Sequence, residues 1–204
     1  MISYQQYEML LGQQVAPPTA EELFDFQVAV LRDKEVLKSP DELLPLRKFL
    51  PTAPFRPFLI VPAVQMSLDE LMSRVALGEK KGKNYLNETA VRNIVAVPKG
   101  HYLVLDVEDG RKMLKTSPDQ VVEIFSQEGR SAYVCREGIF HVMYFSETLR
   151  NHYMDLYGSR CGAKVVPSLY LLGERPLLSY WPDLADPEWG SPSCGSRCSA
   201  AIRL

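Results

Sequence analysis

The chain has 204 residues, of which 46% are hydrophobic and 24% charged, with a formal net charge of −2. That length fits one domain, with or without an arm, and a chain of this size buries enough apolar surface to need no disulfide staple. The charge balance excludes a general nucleic-acid binder, which needs a basic face. The longest apolar stretch, Phe58 to Val64 with Pro62 inside it, falls far short of the about 20 residues that a membrane span needs.

Tyr4, Tyr7, Leu10 and Leu11 give the first segment an apolar face ahead of Pro17-Pro18. Such a face is expected to pack on the main body or on a second subunit, which makes a homo-oligomer through this arm one expectation. No basic residue precedes Arg32, so a secretory signal is not expected, and a cytoplasmic protein with four reduced thiols is. Four helix starts follow. Thr19-Ala20-Glu21-Glu22 is a capping box, with Leu23, Phe26, Val30 and Leu31 on one face. Ser39-Pro40-Asp41-Glu42 is a second, with Pro45 expected to shorten or restart its helix. Ser67-Leu68-Asp69-Glu70 predicts a helix that stops at Gly78, and Ser117-Pro118-Asp119-Gln120 one that stops at Gly129. Residues 1–38 read as a helical arm on a single α+β domain.

Strand patterns lie between and after these helices. Phe58 to Val61 is a short buried run, and His101 to Val107 ends at Glu108-Asp109-Gly110, read as a solvated turn. Glu79 to Asn84 reads as a charged loop. Glu137 to Phe145 fits helix or strand, with helix preferred. Tyr153 to Tyr157, Val165 to Leu172 and Leu177 to Trp181 predict a C-terminal meander, with turns at Gly158 to Gly162 and Gly173 to Pro176. The fold class is therefore α+β, with a mainly antiparallel sheet and flanking helices. Residues 182–204 form an irregular tail packed on the sheet.

That tail contains Asp186-Pro187-Glu188-Trp189-Gly190-Ser191-Pro192-Ser193-Cys194-Gly195-Ser196-Arg197. Tryptophan marks packed surface, and an ordered irregular loop is a common place for a site. Cys194 flanked by Ser193 and Gly195, with Arg197 three residues on, is either a nucleophile or a small buried thiol. Gly158-Ser159-Arg160-Cys161 and Gly195-Ser196-Arg197-Cys198 are near-copies. Each arginine either helps capture a carboxylate or phosphate or holds loop carbonyls and pairs with Asp183 or Asp186. The candidate ligand-binding residues are Arg160, Trp189, Ser191, Ser193, Cys194 and Arg197, with Cys194 also the catalytic candidate. Cys194 and Cys198 lack a second pair, and His101, His141 and His152 are scattered, so no metal and no cofactor are expected.

Tyr102-Leu103-Val104-Leu105-Asp106 with Gly110, Gly129-Arg130-Ser131, Glu137-Gly138-Ile139, Gly158-Ser159-Arg160, Val166-Pro167, Arg175-Pro176 and the closing Gly190-Ser191, Ser193-Cys194-Gly195 and Arg197 resemble a family of uncharacterised bacterial proteins, a domain of unknown function. The resemblance covers Phe58 to Arg197 and implies no activity. It departs from that family's pattern at Asp186-Pro187-Glu188, where the family has Asn-Pro-His, so the histidine that would activate Cys194 is missing. Three functions remain open at this point: a binding or regulatory module for a small anionic ligand or protein partner, an enzyme using Cys194, and a structural role for the Trp/Cys loop.

Overall fold

The computed structural model describes residues 18–162, 165–180 and 188–200. Helix α1 (Ala20–Asp33) starts at the expected capping box: Glu22 N–H donates to Thr19 Oγ1 at 3.2 Å, and the Glu22 carboxylate accepts from Thr19 N–H at 2.8 Å. Leu23, Phe24 and Leu31 are buried in the main core, so the arm expected over residues 1–38 is built into the body from α1 onward. Tyr4, Tyr7, Leu10 and Leu11 lie outside the described residues.

The segment Pro40–Phe49 is one 3₁₀ helix with no side-chain cap, which corrects the second capping box. Pro45 is accommodated inside it rather than stopping it. Strand β1 (Leu59–Val61) follows, then α2 (Leu68–Arg74), capped reciprocally by Ser67 and Glu70 as expected. This helix ends before Gly78. The chain turns at once into β2 (Ala76–Leu77), β3 (Lys80–Lys81) and β4 (Lys83–Asn84), and Gly78, at φ +56°, sits in the β2–β3 hairpin turn. The charged segment expected as a loop is therefore strand.

Next come β5 (Val91–Asn93), β6 (Tyr102–Leu105), α3 (Pro118–Gln127) and β7 (Ser131–Ala132). Gly129 follows α3 with a left-handed φ of +63°, the stop that was expected. Helix α4 (Cys135–Tyr144) resolves the ambiguous segment. Every residue from Glu137 to Tyr144 is buried, which is why no amphipathic period is visible. The rest is α5 (Thr148–Asn151), β8 (Tyr153–Asp155), β9 (Ser159–Cys161), β10 (Pro167–Leu172), β11 (Arg175–Tyr180), β12 (Trp189–Gly190), β13 (Ser193–Cys194) and β14 (Ser196–Ser199).

The fold is α+β with mostly antiparallel pairing. Strands β8, β10 and β11 form the expected antiparallel meander, extended by β12 parallel to β8 and by β4 parallel to β11. The connection between β8 and β10 is longer than a turn, because β9 leaves the sheet and pairs with β5. A second sheet runs β1-β6-β14, all antiparallel. Helix α4 touches β1 of one sheet and β10 of the other, which places the core between them. On the free side of β1, the Gln27 amide of α1 donates to Phe58 O at 2.9 Å and accepts from Ile60 N–H at 2.7 Å. A side chain thereby satisfies a buried edge of β1, which among the described residues pairs with β6 only.

Candidate functional site

The segment from Trp189 to Ser199 is a chain of short strands, each laid on a different part of the body. Strand β12 runs beside β8, β13 pairs with β7, and β14 completes the β1-β6 sheet. Ser193 and Glu108 exchange reciprocal backbone hydrogen bonds at 2.9 Å, and Tyr133 N–H donates to Pro192 O at 3.1 Å. Trp189 is buried, edge-on to Tyr153 with ring centroids 5.1 Å apart and tilted against Tyr170 at 5.7 Å. Gly190 and Gly110 pack backbone to backbone. A Cβ on Gly190 would lie 2.3 Å from Gly110 O, so no other residue fits without moving the chain.

Two arginines staple this segment down. Arg197 donates from Nε to Glu137 Oε1 at 2.6 Å and from Nη2 to Glu137 Oε2 at 2.7 Å, a bidentate pair. Its remaining donors go to Ser131 Oγ at 2.6 Å and Ala132 O at 2.8 Å. The Glu137 side chain is 0% exposed and also accepts from Tyr102 OH and from Val134 N–H, so it caps the start of α4 while neutralising Arg197. Burial and then the Glu137 charge push the Tyr102 hydroxyl far above the usual tyrosine value. Arg130 donates to Ser193 Oγ at 2.8 Å, to Asp106 Oδ2 at 2.8 Å and to Asp106 O at 2.6 Å.

Cys194 sits inside this arrangement and is 0% exposed. Burial pushes its thiol up to about 12, and the nearby Arg197 and Arg130 charges offset that only in part. A nucleophilic cysteine needs the opposite shift, access and a base. Ser191 and Ser193 are buried with it. Arg160, on β9, turns back on its own segment: it donates to Tyr157 O at 2.7 Å and to Ser159 O at 2.8 Å and lies over the Tyr157 ring. The structure thus brings Trp189, Ser191, Ser193, Cys194 and Arg197 into one packed segment. Arg160 and Arg197 serve different partners, and Arg197 pairs with Glu137; Asp183 and Asp186 lie outside the described residues.

The turn at Glu108-Asp109 is not solvated. Both residues are buried beside the Gly110–Gly190 contact. Glu108 accepts from Gly110 N–H and Lys112 N–H, while burial and then the adjacent Asp109 raise its carboxyl to about 7. Burial alone would raise Asp109 too. Burial is the largest single influence, but the hydrogen bonds from Arg111 together with the electrostatic influence of His152 and Arg111 outweigh it and hold the carboxyl below the usual aspartate value. His152 Nε2 lies 2.9 Å from the Asp109 carbonyl oxygen. A carbonyl only accepts, so this nitrogen carries the proton. Burial lowers His141 to about 3 and keeps it neutral. His152 stands at the wall of a pocket of about 430 Å³ with Arg150, Tyr153, Glu174 and Glu188.

A different pocket, of about 250 Å³, opens between the C-terminus of α1 and the α2–β3 segment. Lys34, Arg74 and Lys81 line it, with Asp33, Glu35 and Ser73. Arg74 Nε is buried and has no hydrogen-bond partner among the described residues. Burial and then repulsion from Lys81 hold the Lys34 ammonium below the usual lysine value. Sequence reading missed this pocket, since its cations stand in unrelated segments. Among the described residues no group of three or more His, Cys, Asp or Glu is placed to hold a metal ion, and no helix is long and apolar enough to cross a membrane.

Comparison with protein families gives one match, to a family of unknown function, DUF5701, over residues 18–175. The chain belongs to this family. The match spans α1 through β10, ending at the first residue of β11, and includes Asp106, Glu108, Arg130 and Glu137, partners of the closing segment, but not that segment itself. No curated protein and no solved structure matches the chain.

Proposed function

We propose that this member of DUF5701 is a binding module for a small anionic ligand, and that the ligand occupies the pocket of Lys34, Arg74 and Lys81. One observation carries the reading: three cations, from three separate elements, line one cavity. Lys34 and Lys81 repel each other across the cavity, and an anion between them relieves that repulsion. Arg160 and Arg197 do not serve as the anion site in this reading, because Arg197 is closed by the Glu137 carboxylate and Arg160 turns back on Tyr157 O and Ser159 O. The Trp/Cys segment is a structural clamp, and buried Cys194 favours binding over cysteine chemistry. We propose the closing motif as a mark of the family, because the partners that it engages all lie within the matched segment. A cytoplasmic setting agrees with four free cysteines.

A thermal-shift titration with a panel of small anions tests this reading. The melting temperature of the wild-type protein is expected to rise with at least one anion of the panel, and the rise is expected to vanish in Lys34→Ala/Lys81→Ala. An equal rise in the double variant, or no rise with any anion, overturns the proposal.

A further inference from the structure

The pocket between α1 and α2 is built for more than one negative charge. Lys34 follows the last turn of α1, Arg74 ends α2, and Lys81 stands on β3. Three separate elements therefore deliver a cation each to one cavity. Of the nearby acids, Asp33 pairs elsewhere, whereas Glu70 caps α2 and also attracts Arg74. Asp33 accepts from Arg32 Nε and Nη2, and Glu70, one turn before Arg74, accepts from Ser67 N–H and Ser67 Oγ. Glu35 is exposed at the rim. The two causes that move Lys34 are its own burial and the Lys81 charge, with no contribution from a carboxylate. A further cation, Arg175, approaches through its hydrogen bond to Lys81 O at 3.0 Å.

We infer that the ligand presents a phosphomonoester group to Lys34, Arg74 and Lys81, an inference that rests on the anion-binding reading above. A monoanion offsets one cation and leaves Lys34 and Lys81 repelling each other. A phosphomonoester carries roughly −1.5 to −2 charges at pH 7 and has three strong acceptor oxygens. It answers both ammonium groups and still offers an oxygen to the Arg74 guanidinium. The guanidinium suits it, because its terminal N–H groups form a planar fork that a phosphate accepts end-on. Ser73 Oγ donates to Glu70 O at 2.7 Å, so the serine forms a wall rather than a further donor.

The test uses two probes of one shape and different charge, methyl phosphate and methyl sulfate, with acetate as a third, titrated calorimetrically into the full-length protein at pH 8. Methyl phosphate is expected to bind at least about tenfold more tightly than methyl sulfate or acetate, by the difference that one further charge-assisted hydrogen bond makes. Its affinity is expected to fall as the pH drops below about 6, where the phosphate takes up its second proton. Arg74→Lys keeps the charge but loses the fork, and is expected to weaken methyl phosphate by about tenfold. Lys81→Gln, on an exposed side chain, gives the same direction should the Arg74 variant unfold. Sedimentation with phosphatidylcholine vesicles, with and without phosphatidic acid, separates the sources. Capture by phosphatidic acid assigns the phosphoryl group to a lipid, and binding of methyl phosphate without capture assigns it to a soluble ester. Equal binding of all three probes, lost in Lys81→Gln, overturns the phosphomonoester inference alone. Absence of binding, or binding unchanged in both variants, overturns the anion-binding reading as well.

Discussion

Arg197→Met tests the clamp at its most buried point. Methionine keeps most of the arginine stem and removes the guanidinium, with its two hydrogen bonds to Glu137 and those to Ser131 and Ala132. The loss is not that of a surface ion pair, since the Arg197 and Glu137 side chains are 7% and 0% exposed. Glu137 would keep only its neutral donors, Tyr102 OH and Val134 N–H, and a buried carboxylate stripped of its cation costs about 3–5 kcal/mol. For a chain of this size that is a fall in melting temperature on the order of 10 °C. Urea unfolding followed by tryptophan fluorescence reads the change, since Trp189 packs against Tyr153 in the same segment. Glu137→Gln in the same background removes the orphaned charge and is expected to recover about 1 kcal/mol or more. A loss below about 1 kcal/mol in Arg197→Met, with no coupling to Glu137, would refute the clamp.

Glu108→Gln separates buried charge from packing through pH. The folded carboxyl titrates near 7 against an ordinary value of 4.5, so the unfolded chain gives up its proton first, and the wild type loses stability as pH rises between those values. Relative to the wild type, Glu108→Gln is expected to gain about 2.5 kcal/mol between pH 5 and pH 8 in denaturant unfolding; a flat difference would show that Glu108 titrates normally. Gly190→Ala is expected to destabilise by about 2 kcal/mol or more, because its Cβ would meet Gly110 O at 2.3 Å. An unchanged melting temperature in that variant would mean that the two backbones do not touch.

Features that depend on near neighbours were legible in the sequence. The boxes at Thr19 and Ser67 and the Gly129 stop are interactions over three or four residues, and each stands where its spacing puts it. The meander was legible because its strands and hairpin turn carry their own signals. Gly78 misled because a left-handed glycine serves a helix end and a hairpin turn alike. Glu108-Asp109 was misread for a different reason. Acids beside a glycine are usually wet, and what buries these two arrives from His152 and Ser193, far along the chain. Arg197 and Glu137 are 60 residues apart, so two plausible tasks for that arginine could not be told apart before folding. Lys34, Arg74 and Lys81 had no signal at all. Each is an ordinary charged residue until α1, α2 and β3 bring them to one cavity.

Thiol accessibility in the native protein tests most directly whether the C-terminal segment closes the fold or presents a nucleophile. Brief iodoacetamide labelling at neutral pH, followed by peptide mass mapping, ranks the four free cysteines, all of which the structure describes. The partly exposed Cys161 and Cys198 are expected to label first. Cys135 and Cys194, both buried and with raised pKa values, are expected to label only as the protein unfolds in urea. Rapid labelling of Cys194 in the folded protein, ahead of Cys198, would contradict the clamp and restore the cysteine as a reactive centre.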